Sequence, residues 1–177
     1  MSPNSIAEAS PSLRARVAGA FYMITIVAGI LGYAAGRTHL ADISLLVAGA
    51  AYIVVTLLLY ELLKPVNRSL SLLAAFFSIV GIAHSDNSLF FFGFYCVLIG
   101  YLIIKSNLLP GAIGVLMVVA GLGHLTNVLV SLLFPALAHV VSPIALGLGG
   151  IGEISLALWL LVMGVHVKTE EKTKLPA

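Results

Sequence analysis

Residues 109–133 read LPGAIGVLMVVAGLGHLTNVLVSLL and contain no aspartate, glutamate, lysine or arginine. A helix needs about 20 consecutive, mostly apolar residues to cross the hydrocarbon core of a bilayer. This stretch exceeds that length, and Ser106, Asn107 and Pro110 mark a turn at its beginning. It therefore predicts a transmembrane helix and sets the class of fold.

The rest of the chain has the same character. Of its 177 residues, 60% are hydrophobic and 9% charged, with a mean hydropathy of +1.13. A soluble domain carries about 25% charged residues, so lipid must be the solvent for much of this chain. The net charge of +2 is too small and too scattered to indicate a nucleic-acid partner. The single Cys96 lies in an apolar run, which does not indicate a disulfide, a redox centre or a metal site.

Similar stretches predict an all-α integral membrane bundle of six transmembrane helices. The predicted spans lie near residues 15–36, 40–63, 69–85, 88–105, 109–133 and 144–167. The first is longer than the core of a signal peptide, so it is retained. Ser142 and Pro143 predict the cap and the first residue of the last helix. One membrane domain, residues 14–167, is then flanked by polar tails at residues 1–13 and 168–177.

The distribution of positive charge predicts the orientation. With the amino terminus in the cytoplasm, the outer side receives Arg37 alone. Eight lysines and arginines then lie on the inner side: Arg14, Arg16, Lys64, Arg68, Lys105, Lys168, Lys172 and Lys174. Because cytoplasmic loops are enriched in these residues, both termini are expected in the cytoplasm of a cell with the protein in its inner membrane.

A weak internal repeat relates residues 81–89 to residues 121–129. In both segments, histidine follows glycine after three positions, and asparagine follows the histidine after three more. Residues 60–64 and 101–105 correspond in the same way, each with the pattern Tyr-x-x-x-Lys. We interpret the six spans as three degenerate helical hairpins.

Several short phrases resemble one protein family. They are ARVAGA at 15–20, PVNRSL at 65–70, FGFYC at 92–96, GYLI at 100–103, LP at 109–110, GVL at 114–116, AGLG at 120–123, GE at 152–153 and LW at 158–159. In these phrases the chain resembles an uncharacterised bacterial multi-pass membrane family, domain-of-unknown-function family 4386. The resemblance implies a bacterial inner-membrane protein and no particular activity.

Glu153 is the chief candidate for a functional residue. An ionisable residue within a span costs about 2.5–3.5 kcal/mol on insertion scales, which favours a functional hypothesis. At 1.5 Å per residue, Glu153 lies roughly 13–14 Å below the outer boundary of the last span. The glycines before it allow a neighbouring helix to approach closely. The carboxyl must face protein or a wet cavity, because an ionisable group is costly inside the membrane. The alternative is a neutral structural carboxyl bonded to a carbonyl or a tyrosine.

Two histidines are predicted at the depth of Glu153. From the cytoplasmic ends of their spans, His84 and His124 lie about 22 Å up and Glu153 about 20 Å up. Asn127 lies beside His124 on the fifth helix, and Tyr95 approaches this layer from the fourth. Tyr52 and Thr25 approach it from other helices. For His84 the alternative is an interface residue at the end of its span, and for His124 a structural hydrogen bond.

Three functional readings remain open. The favoured one is a bundle that binds or moves protons or a small hydrophobic or amphipathic ligand, through Glu153, His124, His84, Asn127 and Tyr95. The second is an accessory subunit bound to another membrane protein or to a second copy. In the third reading, the protein binds a b-type haem between His84 and His124. No other cofactor is expected. A metal site formed by His84, His124 and Glu153 ranks below these three readings. No sequence motif supports an enzyme.

Overall fold

The computed structural model describes residues 10–84 and 88–165. These residues form six helices and no strand, so the predicted all-α bundle is confirmed. The helices are α1 (Pro11–Ala34), α2 (His39–Leu63), α3 (Arg68–Ala83), α4 (Ser88–Lys105), α5 (Gly111–Leu133) and α6 (Pro135–Val162). The predicted turn at 85–87, most of the amino-terminal tail and the whole carboxy-terminal tail lie outside the described residues.

Five of the six described helices are long and apolar enough to cross a membrane. The exception is α3, an apolar helix of 16 residues. At 1.5 Å per residue it is about 24 Å long, shorter than the roughly 30 Å core of a bilayer. Large apolar side chains such as Leu46, Phe76 and Leu132 are more than 60% exposed on the outside of the bundle. The chain is thus a membrane protein with an apolar outer surface.

Polar side chains cap the amino termini of the first three helices. The Ser10, Thr38 and Asn67 side chains accept hydrogen bonds from backbone N–H groups three residues later, at 3.3, 3.3 and 3.0 Å. These bonds satisfy N–H groups that have no partner within the helix. The predicted helix starts at residues 15, 40 and 69 lie within four residues of the observed starts at residues 11, 39 and 68.

The start of α6 differs from the prediction. The helix begins at Pro135, separated from α5 by Phe134 alone, and continues through Pro143. Ser142 is therefore not its cap. Pro135 already provides proline in the first turn, where its missing N–H has no helical partner to lose. A proline such as Pro143 is tolerated inside a membrane helix because neighbouring groups satisfy the backbone carbonyl that it leaves unpaired.

The helices form a closed ring in chain order. Each packs on its neighbours in the sequence, and α6 returns to pack on α1. Glycines bring α4 and α5 into backbone contact: a Cβ added at Gly100 would lie 2.5 Å from the Gly114 carbonyl oxygen. One added at Gly121 would lie 2.5 Å from the Gly93 carbonyl oxygen. This ring separates α3, which packs on α2 and α4, from α5 and α6.

The tyrosine–lysine part of the internal repeat has the same local geometry twice. Lys64 Nζ lies 5.8 Å from the centre of the Tyr60 ring, and Lys105 Nζ lies 5.9 Å from that of Tyr101. Each pair lies at the carboxy-terminal end of its helix, where a lysine is also favourable for the helix dipole: Lys64 is the cap of α2, and Lys105 is in the last turn of α4.

Candidate functional site

Glu153 of α6 and His124 of α5 form the centre of the site. His124 Nε2 and Glu153 Oε1 are 2.7 Å apart, and the two side chains are 6% and 18% exposed. The imidazole lies against the backbone of α6 one turn before Glu153. A Cβ added at Gly149 would be 2.8 Å from His124 Nε2. Glycine at 149 is therefore what leaves room for the ring.

The other glycines of α6 divide by the face they occupy. Gly152 also packs closely on α5, since a Cβ there would lie 2.6 Å from the Leu116 carbonyl oxygen. No atom of the described residues lies within 4 Å of the corresponding position at Gly147 or Gly150. Gly149 and Gly152 therefore fulfil the expected role of close helix packing, while the other two face open space.

Two tyrosines extend the polar site across the bundle. The Tyr22 hydroxyl of α1 donates to Glu153 Oε2 at 3.3 Å, and the Tyr52 hydroxyl of α2 donates to Tyr22 at 3.2 Å. Their rings meet edge to face, with centres 5.3 Å apart, and both are buried. A hydrogen-bonded chain of four side chains thus links α2, α1, α6 and α5.

Cys96 and Tyr95 of α4 complete the site from the remaining side. Cys96 is fully buried, and its Sγ, an imidazole nitrogen of His124 and a carboxylate oxygen of Glu153 all lie within 4.8 Å of one another. The Tyr95 ring packs on Tyr52, with centres 5.8 Å apart. Its buried hydroxyl has no partner at hydrogen-bonding geometry among the described residues.

The two remaining predicted residues, Asn127 and His84, lie outside the hydrogen-bonded chain of side chains. Asn127 is buried on α5, one turn beyond His124, but no side-chain hydrogen bond joins it to the pair within residues 10–84 and 88–165. His84 is exposed at the carboxy-terminal cap of α3, where its ring lies 5.5 Å from that of Phe91. The structure does not bring His84 to Glu153, because α3 packs on α2 and α4 rather than on the helices that carry the pair.

A groove between α1 and α6 leads to the pair, and we call it the α1–α6 groove. Its volume is about 710 Å³. It is lined by Thr25, Ile26, Gly29, Ile30, Tyr33, Ala34, His124, Leu146, Gly150, Glu153 and Ile154. Ile30 and Tyr33 are 62% and 82% exposed, so the groove opens on the surface of the bundle. Its wall is formed by apolar side chains such as Ile26 and Ile30, and its polar floor by His124 and Glu153.

The hydrogen bond between Glu153 and His124 constrains the charge of the site. One proton lies between Nε2 and Oε1 in every arrangement that keeps this bond. The pair is neutral if Nδ1 carries a second proton and has one negative charge if it does not. Nδ1 is buried without a hydrogen-bond partner among the described residues. A net charge on the pair would be costly to bury unless a neighbouring group balanced it.

Sequence reasoning did not identify Tyr22 or Cys96. Tyr22 continues a line of buried small residues on α1 (Ala15, Ala18 and Gly19), and that helical spacing was an available signal for its inward direction. Cys96 offered no comparable signal, because a lone cysteine in an apolar run also fits ordinary packing.

Comparisons with known proteins support the family resemblance and bring no activity. Residues 86–164 match the model of a family described as "Domain of unknown function (DUF4386)", the same family that the sequence phrases resemble. This range includes Cys96, His124 and Glu153. An uncharacterised protein of Archaeoglobus fulgidus is 29% identical over 130 residues, which cover 63% of this chain and 76% of that protein. No solved structure matches the chain.

Proposed function

We propose that this membrane protein, whose residues 86–164 match the family DUF4386, binds a small amphipathic molecule in the α1–α6 groove. The polar end of that molecule would contact Glu153 and His124. The observation that carries the proposal is a groove of about 710 Å³ with an apolar wall and this pair at its floor. Ligand sites in proteins have volumes of about 300–1,000 Å³, mostly apolar linings and a few polar groups that fix orientation.

The composition of the groove favours a ligand with a hydrogen-bond-donating or cationic head. Its described lining contains one carboxyl and no lysine or arginine. The Tyr22 hydroxyl of α1 donates a hydrogen bond to Oε2 of Glu153. The Glu153 side chain is still 18% exposed. An amine head would supply the positive charge that the pair lacks when Nδ1 is unprotonated. The alkyl part would contact Ile26 and Ile30.

Fluorescence energy transfer to a dansyl-labelled alkylamine tests this proposal. Trp159, the chain's single tryptophan, lies six residues after Glu153 on α6, about 9 Å along the helix. Saturable transfer from Trp159 to the probe is expected in the unaltered protein. Glu153→Gln should abolish it, because a neutral amide removes the ionic attraction and keeps the volume of the side chain.

Glu61→Gln provides a matched control at the end of α2. Glu61 pairs with Lys64 at 2.7 Å and does not line the groove, so this variant should bind the probe as the unaltered protein does. Equal binding by both variants would contradict the proposal. It would then favour the accessory role that the sequence left open.

The hydrogen-bonded chain favours proton handling as a second candidate function. Tyr52, Tyr22, Glu153 and His124 follow one another at hydrogen-bond distances of 3.2, 3.3 and 2.7 Å. Such chains of titratable and hydroxyl groups are common in membrane pumps and transporters. Proteoliposomes containing a pH-sensitive dye would reveal proton movement. Tyr22→Phe interrupts the chain and should slow that movement, whereas equal rates would exclude a path through Tyr22.

We also propose that the end of the bundle with Arg14, Lys64 and Lys105 faces the cytoplasm of the cell. Arg14 Nη1 lies 3.8 Å from Glu61 Oε2, so the start of α1 and the end of α2 lie at the same end of the bundle. Its positive residues fit the positive-inside rule. A cysteine introduced at Arg37 should react with an impermeant maleimide in intact cells, and one at Asn107 only after permeabilisation. The reverse result would invert the orientation.

A further inference from the structure

We infer that Cys96, His124 and Glu153 form a binding site for a thiophilic divalent transition-metal ion, of which Zn²⁺ fits best. The three side chains come from α4, α5 and α6, and a possible ligand atom from each lies within 4.8 Å of the others. The inference needs only this cluster. It does not require that the α1–α6 groove bind an amphipathic molecule.

The distances are close to those of a formed site. With bonds of about 2.3 Å to sulfur and about 2.0 Å to nitrogen and oxygen, tetrahedral ligand atoms are roughly 3.3–3.6 Å apart. Between His124 Nε2 and Glu153 Oε1 the distance is 2.7 Å. Cys96 Sγ lies within 4.8 Å of an imidazole nitrogen of His124 and of a carboxylate oxygen of Glu153. Changes of roughly 1 Å in side-chain position therefore convert the hydrogen-bonded cluster into a coordination sphere.

The charges of these residues suit a divalent ion in an apolar bundle. A thiolate and a carboxylate together carry two negative charges, so the loaded site with a neutral imidazole has no net charge. Binding replaces the thiol proton of Cys96 and the proton shared by His124 and Glu153. Both protons leave to solvent, and no electron is transferred.

The ligand types favour zinc over harder ions. Sulfur and imidazole nitrogen select zinc and similar transition metals, whereas magnesium and calcium prefer oxygen ligands. Three protein ligands leave a fourth position of a tetrahedral ion for water or another molecule. Because His124 and Glu153 also line the α1–α6 groove, the groove provides a path for the ion to these two ligands.

Neighbouring groups support the ligands from outside the cluster. The Tyr22 hydroxyl donates to Oε2 of Glu153 at 3.3 Å and so orients the carboxylate. His124 is buried, and its Nδ1 has no hydrogen-bond partner among the described residues. The ion would bind Nε2, the nitrogen that faces Glu153, and the Nδ1–H group of the ring would keep its buried position.

Titration of the purified protein with Co²⁺ tests the inference, provided that the affinity tag contains no histidine. Cobalt replaces zinc in such sites and gives a near-ultraviolet charge-transfer band when bound to a thiolate. Since Cys96 is the chain's single cysteine, a band in the unaltered protein identifies the ligand without any variant. Zn²⁺ should then displace Co²⁺ and remove the band.

Two variants and one control complete the test. Cys96→Ser should abolish the band, and Glu153→Gln should weaken Co²⁺ binding more than about 100-fold, since outer partners alone contribute about 10–100-fold. His84→Ala removes an exposed histidine and should leave the titration unchanged. Absence of the band in the unaltered protein overturns the inference, whatever the alkylamine probe does. A band together with no probe binding overturns the proposed function and leaves the metal site.

Discussion

Gly149→Ala should break the central pair by displacing the His124 ring. The new Cβ would lie 2.8 Å from Nε2 and 3.1 Å from Nδ1, well inside van der Waals contact. The ring must then rotate or α5 must move away from α6. Either change lengthens the 2.7 Å hydrogen bond between His124 and Glu153.

The size of the effect follows from three contributions. Overpacking of this kind destabilises a protein by about 1–3 kcal/mol. Loss of an interhelical hydrogen bond in a membrane protein adds about 0.6 kcal/mol. Replacing glycine by alanine within a helix restores roughly 0.5–1 kcal/mol. Gly149→Ala should therefore reduce the free energy of unfolding by about 1–3 kcal/mol.

Gly147→Ala is the matched control, because no atom in the described part of the chain lies within 4 Å of a Cβ at that position. It gains the same helix propensity, so the difference between the two variants isolates the collision and the lost bond. Equilibrium unfolding by dodecyl sulfate in mixed micelles should give a difference of about 1.5–3.5 kcal/mol. Equal stabilities within about 0.5 kcal/mol would refute the placement of His124 against α6.

Two other changes test the packing around the site by the same unfolding measurement. In Gly100→Ala, the Cβ would lie 2.5 Å from the carbonyl oxygen of Gly114, a rigid backbone atom, so a loss of stability of about 2–3 kcal/mol is expected. In Gly111→Ala, the Cβ would have no neighbour within 4 Å among the described residues, and an equal loss of stability there would contradict the argument. Thr56→Val leaves the buried Ser78 hydroxyl without its 2.6 Å partner and should destabilise by about 1–3 kcal/mol. Adding Ser78→Ala should recover part of this loss, and simple additivity would show that the two hydroxyls do not interact.

The helices were predictable because their signal is strong and local. Long apolar stretches separated by turn residues locate the spans without knowledge of the packing. Pro143 was misleading for a physical reason. In a soluble protein it would favour a helix start, but within the bundle α6 continues through it from Pro135 to Val162.

The central pair was partly predictable from depth alone. Straight helices have a fixed rise per residue, so Glu153 and His124 were expected at one level, and the structure joins them. Depth does not say which helices are neighbours, however. His84 is absent from the site because α3 ends at Ala83 and packs on α2 and α4. Cys96 is present because one face of α4 turns inward, which only the tertiary packing determines.

Photo-crosslinking tests the central claim, that the α1–α6 groove holds an amphipathic molecule by its polar end at Glu153. The probe is an alkylamine with a diazirine in its chain, and mass spectrometry of the digested protein locates the attachment. Crosslinks should concentrate on α1 and α6 near Ile26, Ile30 and Ile154 and should disappear in Glu153→Gln. Crosslinks spread over all lipid-facing helices, or unchanged by that substitution, would contradict the claim.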